Sequence, residues 1–383
     1  MKTFFMMVMI SGALTLPWIT HAATPDATPI EKNGSYERAS IESVGSRGEK
    51  TSIGGQQVNV FHVRFLSGPL KNQTRDITNE IESNPYGLNF GVGDTAVIFI
   101  QTDSDGTQHF YLDGFDRRSA IIWLIVLFIL MMILLAGWQG FKVVLSIAIS
   151  LALIGLALIP LFLKGFNPIP IALVLVAIFA CVSTILSTGW NKKSLVTIIG
   201  TIGGTITAYL LSVVFANWAH LNGLSSEDDR LFFNQNPTLN PRGLLFAGIM
   251  IASVGIVEDV AVSIASGVAE VKRANPRAGV RELFRSGMTI GNDHMGALAN
   301  TLIFAYAGGS LSSLLLYHQY GGSWLKFINF DTVVDEVIRS LCGTIGLIFT
   351  VPITALLAAW VMSRVSPQEL QRLPHDHAHT HGA

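Results

Sequence analysis

Two pairs of ionisable residues interrupt long apolar stretches in the second half of the sequence. Glu258 and Asp259 form the first pair, and Asp293 and His294 form the second. A charge at the centre of a lipid bilayer costs about 2.5–3.5 kcal/mol on insertion scales. Ionisable residues in such stretches therefore face a polar interior as a rule, where carboxylates and an imidazole can bind a cation or relay a proton.

Helical periodicity extends each pair into a polar stripe. At 3.6 residues per turn, Asp259 shares its face with Ser263 and Ser266, and Asp293 shares its face with Asn300. We therefore predict a cation or small-solute path between the two stretches. Its candidate residues are Glu258, Asp259, Ser263, Ser266, Asp293, His294 and Asn300. The alternative is structural, with the carboxylates neutralised by protonation or by hydrogen bonds that pack the helices.

The composition indicates a membrane protein. The chain has 383 residues, of which 50% are hydrophobic and 13% are charged, whereas soluble domains average about 25% charged residues. The formal net charge of -1 gives no sign of a nucleic-acid partner. Both cysteines lie inside apolar runs, so neither a disulfide nor a cysteine metal site is expected.

Seven apolar segments have the length needed to cross a bilayer, which is about 20 residues. They lie near residues 120–138, 143–163, 168–188, 195–217, 243–268, 287–316 and 338–362. Backbone polar groups in lipid must be satisfied within the segment, so we expect all of them to be helices. Residues 119–363 are thus predicted to be a transmembrane helical domain.

Basic residues predict the orientation of these segments. Ten Lys and Arg residues lie in segments 139–142, 189–194 and 269–286 and in the tail after 363, against five in the opposite loops. The excess of positive charge marks the cytoplasmic side. The N-terminal domain is therefore predicted outside and the C-terminus inside.

The N-terminal part is predicted to be exported. Residues 1–23 show a signal peptide pattern, with an uncleaved signal anchor as the alternative. Residues 24–118 are assigned to an extracytoplasmic region that begins as a linker over 24–56. Short alternating apolar runs follow it, and they predict a small all-β domain. The full prediction is an α-helical integral membrane protein with about seven transmembrane helices and this small N-terminal domain.

The cytoplasmic tail, residues 364–383, contains alternating histidines. These are His375, His377, His379 and His381. One interpretation is a weak site for a divalent metal, and the other is a disordered tail that binds none.

Two segments resemble the YibE/F-like family of bacterial multi-spanning membrane proteins. They run from Gly255 to Ser266 and from Ser286 to Tyr306, and the resemblance extends over roughly residues 85–320. It implies a multi-pass protein of the bacterial cytoplasmic membrane and no particular substrate.

The resemblance also separates the candidate residues. Asp259, Asp293 and Asn300 fit the family pattern, whereas Glu258 and His294 depart from it. The first three are therefore the residues that the resemblance favours as shared functional groups.

These observations favour a transporter or permease-like protein for a cation or small solute. The alternative is a non-transporting membrane scaffold or sensor whose exported β domain binds a partner. Because the sequence has no P-loop, no His-Glu-x-x-His zinc motif and no Gly-x-Ser-x-Gly elbow, we expect neither an enzyme nor a cofactor. The expected partners are the lipid bilayer, the solute, and a membrane or extracytoplasmic protein.

Overall fold

The structure is a computed structural model that describes residues 34–47, 58–80, 90–103, 106–312, 315 and 323–366. The predicted signal peptide and the four tail histidines lie outside these residues. The chain divides into two compact units, with the boundary between Met132 and Ile133. Each unit is described separately below.

An antiparallel sheet of five strands forms the N-terminal unit, in the spatial order β3-β2-β1-β4-β5. The strands are β1 (Gly34–Arg47), β2 (Val58–Phe65), β3 (Thr74–Glu80), β4 (Thr95–Thr102) and β5 (Gln108–Phe115). Alternate residues of the strands pack on one face, including Ile41, Phe61 and Ile98. The predicted β character of this region is confirmed, and the sheet curves into a half-barrel.

The prediction of a linker over residues 24–56 is wrong for its central part. Residues Gly34–Arg47 form β1, which pairs with β2 on one side and β4 on the other. The strand has only two apolar residues in the core, Ala39 and Ile41. Its own pattern is therefore a poor strand signal, and pairing with two neighbours stabilises it instead.

The acidic residue Asp116 follows β5 directly. Its carboxylate accepts hydrogen bonds from Nε of Arg118 at 2.8 Å and Nη2 at 2.9 Å, and Nη1 of Arg38 lies 3.6 Å away. The hydrogen bonds from Arg118 and the charge of both guanidinium groups hold the pKa of Asp116 below its ordinary value of 3.8. The ionised carboxylate therefore links β1 to the start of the first helix.

Expressed alone as residues 24–116, the N-terminal region is expected to fold. Its sheet has its own apolar core, which includes Phe65 and Phe90, and a sheet of this size with a buried face can be stable without the membrane part. We expect a β-type circular dichroism spectrum and a single cooperative unfolding transition. A coil-like spectrum without a transition would show that the sheet requires the helical region.

The rest of the described chain is helical. The helices are α1 (Arg118–Leu153), α2 (Ile159–Leu163), α3 (Pro168–Thr188), α4 (Lys192–Trp218), α5 (Glu227–Gln235), α6 (Pro241–Ala274), α7 (Val280–Gly309), α8 (Trp324–Ile328) and α9 (Asp331–Ser363), with a π-helical turn at Ile154–Leu158. Helix α9 packs against α4, α6 and α7 and so lies at the centre of the bundle.

Among the described residues, five helical stretches are long and apolar enough to cross a membrane, so the predicted number of seven is not confirmed. These stretches are Arg118–Leu163, Pro168–Thr188, Lys192–Trp218, Pro241–Ala274 and Asp331–Ser363. The first two predicted segments belong to one helical stretch of 46 residues, which has a break at Gly137 with φ 54° and ψ -133°. The sixth corresponds to α7, whose polar residues lower its hydropathy.

Small residues bring α4 and α9 into close contact. A Cβ added to Gly204 would lie 2.8 Å from Cγ1 of Val257 and 3.1 Å from the carbonyl oxygen of Gly346. One turn earlier, a Cβ on Gly200 would collide with Thr354. Glycines at this spacing let the backbones of membrane helices approach each other.

Candidate functional site

Glu258 lies against helix α3. It is 9% exposed, and its Oε1 accepts a hydrogen bond of 3.1 Å from Oγ1 of Thr184. Because buried carboxyl groups need hydrogen-bond partners, this contact stabilises the packing of α6 against α3.

Helices α6 and α7 are antiparallel neighbours with a defined register. A Cβ added to Gly287 would lie 3.0 Å from Cγ2 of Val268, and one added to Gly291 would lie 3.0 Å from Cδ1 of Ile264. Two residues that face each other across this helix pair therefore have residue numbers whose sum is about 555, as Gly287 and Val268 do. By this register Ser263 is level with Asp293.

Helix α9 covers one side of this helix pair. The Cβ on Gly287 would also lie 2.9 Å from Cβ of Ala355 in α9, and Gly291 faces Val351 of the same helix. Successive helical residues are rotated by about 100°. This rotation turns Asp259 and Asp293 to the other side of the pair, away from α9, where both are exposed.

We call this open side the α6–α7 groove and define it by Asp259, Ser263, Asp293 and Ala297. Asp259 is level with Ala297, four residues from Asp293, which corresponds to about 6 Å along the helix axis. The two carboxylates thus lie at depths that differ by about one helical turn. Glu258, although adjacent to Asp259 in sequence, points to α3 instead.

The remaining predicted residues occupy different environments. Ser263 is half-buried and Ser266 is buried, whereas His294 and Asn300 are exposed on α7. Nδ1 of His294 lies 2.9 Å from the carbonyl oxygen of Ile290. A carbonyl can only accept, so Nδ1 of His294 donates in this hydrogen bond. The role of these residues stays a prediction.

Within the described part of the chain, no three His, Cys, Asp or Glu side chains are arranged to hold a metal ion. A cation in the groove of one chain would therefore rely on carboxylates together with hydroxyl, imidazole or backbone groups. The predicted histidine site in the tail lies outside the described residues.

A second polar cluster, near the N-terminus of α9, was not predicted from the sequence. Oδ2 of Asp335 accepts hydrogen bonds from Oγ of Ser225 at 2.9 Å and from Nη2 of Arg339 at 3.1 Å. Oδ1 of Asp335 is buried without a partner among the described residues. The i, i+4 spacing of Asp335 and Arg339 is a sequence signal that could have indicated this ion pair. The contact with Ser225 could not be predicted in this way, because Ser225 lies 110 residues before Asp335.

A cavity of about 280 Å³ lies beside this cluster, between the C-terminal part of α7 and the first turns of α9. Its walls include Ile303, Tyr306, Val337 and Leu341, and Glu336 lies at its edge. Because the walls are mostly apolar, the cavity suits a hydrocarbon group better than an ion.

The family comparison agrees with this helical architecture. A family model described as YibE/F-like protein matches residues 124–364, which is more than half of the 383 residues. The match begins inside α1 and ends just after α9, so the β sheet lies outside it. No curated protein and no solved structure matches the chain. The chain belongs to the YibE/F-like protein family, as the resemblance of its polar helices predicted.

Proposed function

We propose that this chain is a transporter or permease-like protein that moves a cation or small solute along the α6–α7 groove. The observation that carries the proposal is the position of Asp259 and Asp293. Both are exposed on the side of the helix pair that α9 leaves open, about one helical turn apart in depth. Lipid is a poor environment for two carboxylates, whereas a solute path would contain water and cations.

The chemistry of the groove suits a cation or a proton. Two neighbouring ionised carboxylates repel each other, so a cation near them would stabilise the pair. The hydroxyl of Ser263 is level with Asp293, and hydroxyl and carboxylate oxygens are ligands for hard cations. The imidazole of His294, next to Asp293 on α7, adds a nitrogen ligand for a cation.

We also propose that the chain crosses the membrane seven times. Residues 138–163 run antiparallel to α3, since Nε2 of Gln139 donates to the carbonyl oxygen of Ser187 at 3.2 Å while Leu158 packs with Ile171. The preceding segment, residues 118–136, is then a separate span that ends at the break at Gly137. Helix α7 counts as the sixth span because it runs alongside α6.

This topology puts the N-terminal domain outside the bacterial cytoplasmic membrane and the C-terminus inside. Single cysteines, in a background with Cys181→Ala and Cys342→Ala, test it with a membrane-impermeant thiol reagent on intact cells. We expect labelling of Asp113→Cys and Glu227→Cys and none of Arg277→Cys. Arg277 is the suitable inner probe because it is exposed.

The decisive comparison is between Asp113→Cys and Glu227→Cys. If 118–163 crosses the membrane twice, both cysteines lie on the same side. If only one of them reacts in intact cells and the other reacts only after the cells are opened, the stretch crosses once and the seven-span proposal is wrong.

Solute flux into proteoliposomes tests the function directly. The purified chain is reconstituted and screened with divalent cations and simple anions, with and without a proton gradient, against protein-free vesicles. Flux of any of these solutes that saturates with concentration would support the proposal. Background flux for all of them would favour the second candidate.

The second candidate is a membrane scaffold or sensor, and an aromatic row on the sheet favours it. Tyr36, Phe99 and Tyr111 are cross-strand neighbours on β1, β4 and β5. The ring centroids of Tyr36 and Phe99 are 4.9 Å apart, and those of Phe99 and Tyr111 are 6.4 Å apart. Tyr36 is 63% exposed, and exposed aromatic residues are frequent in binding surfaces.

In-cell photocrosslinking distinguishes this candidate. A photoreactive residue at position 36 is expected to form a discrete adduct if the row binds an extracytoplasmic protein, and one at position 75, on the edge strand β3, serves as the control. No enzymatic activity is part of either proposal.

A further inference from the structure

One face of α7 carries polar and small residues that nothing in the described structure covers. Asn292, Gly296 and Asn300 are exposed and follow each other at a spacing of four residues, so they form one stripe along the helix. A Cβ added to Gly296 would have no heavy atom within 4 Å. We call these three residues the amide stripe.

If α7 is the sixth span, as proposed above, the amide stripe lies deep in the membrane. Helix α7 has 30 residues, and Asn292 and Asn300 lie about 18 Å and 14 Å from its nearer ends at 1.5 Å per residue. Neither side-chain amide has a hydrogen-bond partner among the described residues. A polar group that faces hydrocarbon without a partner is costly, so the stripe requires a polar cover.

The chemistry of the stripe identifies its partner. Each amide has both donors and acceptors, so an Asn can pair with the same Asn of another chain across a two-fold axis, without the repulsion that identical charges would suffer. The open space at Gly296 allows a second helix to approach closely. The proposed span at residues 118–136 cannot provide the polar cover of the amide stripe, because from Ala120 onward it has no polar side chain except Trp123.

We propose that two copies of this chain form a dimer through parallel α7 helices, with the amide stripes in contact. Asn292 and Asn300 pair with their counterparts, and Gly296 lets the backbones meet. Asp293 lies about 60° around the helix from the middle of the stripe, beside Asn300 and on the side towards α6, so one groove borders the contact on each side. The inference rests on the proposed membrane span of α7 but not on transport, because the stripe would need the same cover in a membrane scaffold.

Disulfide crosslinking in native membranes tests the proposal in the full chain. In a background with Cys181→Ala and Cys342→Ala, Gly296→Cys is expected to form a crosslinked dimer with a mild oxidant. Leu210→Cys is the matched control, since Leu210 is 56% exposed on α4, and it should remain monomeric. Equal crosslinking at both positions would overturn the proposal.

A second measurement distinguishes loss of the dimer from distortion or misfolding of a variant. Single-molecule photobleaching of the labelled chain in lipid vesicles reports the dimer fraction as the protein is diluted. The Asn292→Leu/Asn300→Leu variant is expected to associate about tenfold more weakly, while its thermal stability in detergent stays near that of the unsubstituted chain. Gly296→Leu should have a similar effect. Gly255→Leu, at another exposed helical glycine with open space around it, should have none.

The outcomes separate this proposal from the transport proposal. Dimers that carry no flux would support the amide stripe and contradict transport. Flux through a chain that is monomeric at every dilution would support transport and overturn the dimer. An unchanged dimer fraction in the Asn292→Leu/Asn300→Leu variant would show that water or another surface covers the stripe.

Discussion

Replacement of Asp259 or Asp293 by Asn is expected to abolish solute flux while expression and thermal stability stay near wild type. Asn keeps the shape of Asp and one acceptor oxygen, but it replaces the other oxygen by an NH2 donor and removes the charge. If the carboxylate attracts a cation at contact distance, its loss weakens binding by several kcal/mol, so we expect flux to fall about 100-fold or more. Initial rates in proteoliposomes measure this, with Asp113→Asn on the exposed side of β5 as the control.

The structural alternative predicts a different pattern for the same variants. If the two carboxylates only help helices to pack, flux should fall in proportion to the amount of folded protein, and the stability losses of the double variant should be additive. Stable Asp259→Asn and Asp293→Asn proteins with full flux would remove the α6–α7 groove from consideration and favour the scaffold or sensor.

Gly204→Val is expected to cause the largest loss of stability. Its Cβ would lie 2.8 Å from Val257 and 3.1 Å from the backbone oxygen of Gly346, in addition to colliding with Thr350. Overpacking of a core costs about 1–3 kcal/mol when neighbouring side chains can move. Here a backbone carbonyl on the central helix α9 must move as well, so we expect at least that cost.

Thermal unfolding of the purified protein in detergent, followed by the loss of its monodisperse fraction, measures the effect. Gly255→Val is the matched control, because Gly255 is also helical but has no heavy atom within 4 Å of an added Cβ. If both variants unfolded at the same temperature as the unsubstituted chain, the prediction that α4 and α9 are in close contact at Gly204 would be wrong.

The class of the protein and much of the candidate site could be predicted from local sequence. Composition and apolar segment length indicated a membrane protein, and the short alternating apolar runs indicated a small all-β domain. The spacing of Asp259 and Ser263 placed them on one helical face, which depends only on the geometry of a single helix. The family match confirmed the resemblance seen in the same polar helices.

Other features could not be predicted because they depend on residues far apart in the chain. Strand β1 has a weak pattern of its own and is stabilised by neighbours on both sides. The break at Gly137 lies inside a continuous helical stretch, so apolar length alone could not show how often residues 118–163 cross the membrane. The Asp335 cluster likewise requires Ser225, which comes from a distant loop.

The two adjacent carboxylates illustrate the same difference between local features and features that depend on distant residues. Because they are consecutive residues of one helix, Glu258 and Asp259 must point about 100° apart. The packing of the helices then brings Glu258 to Thr184, 74 residues away, and turns Asp259 to the open side of the α6–α7 pair. The direction of a side chain within a helix is a local property, whereas the neighbour that it meets depends on how several helices pack around α9.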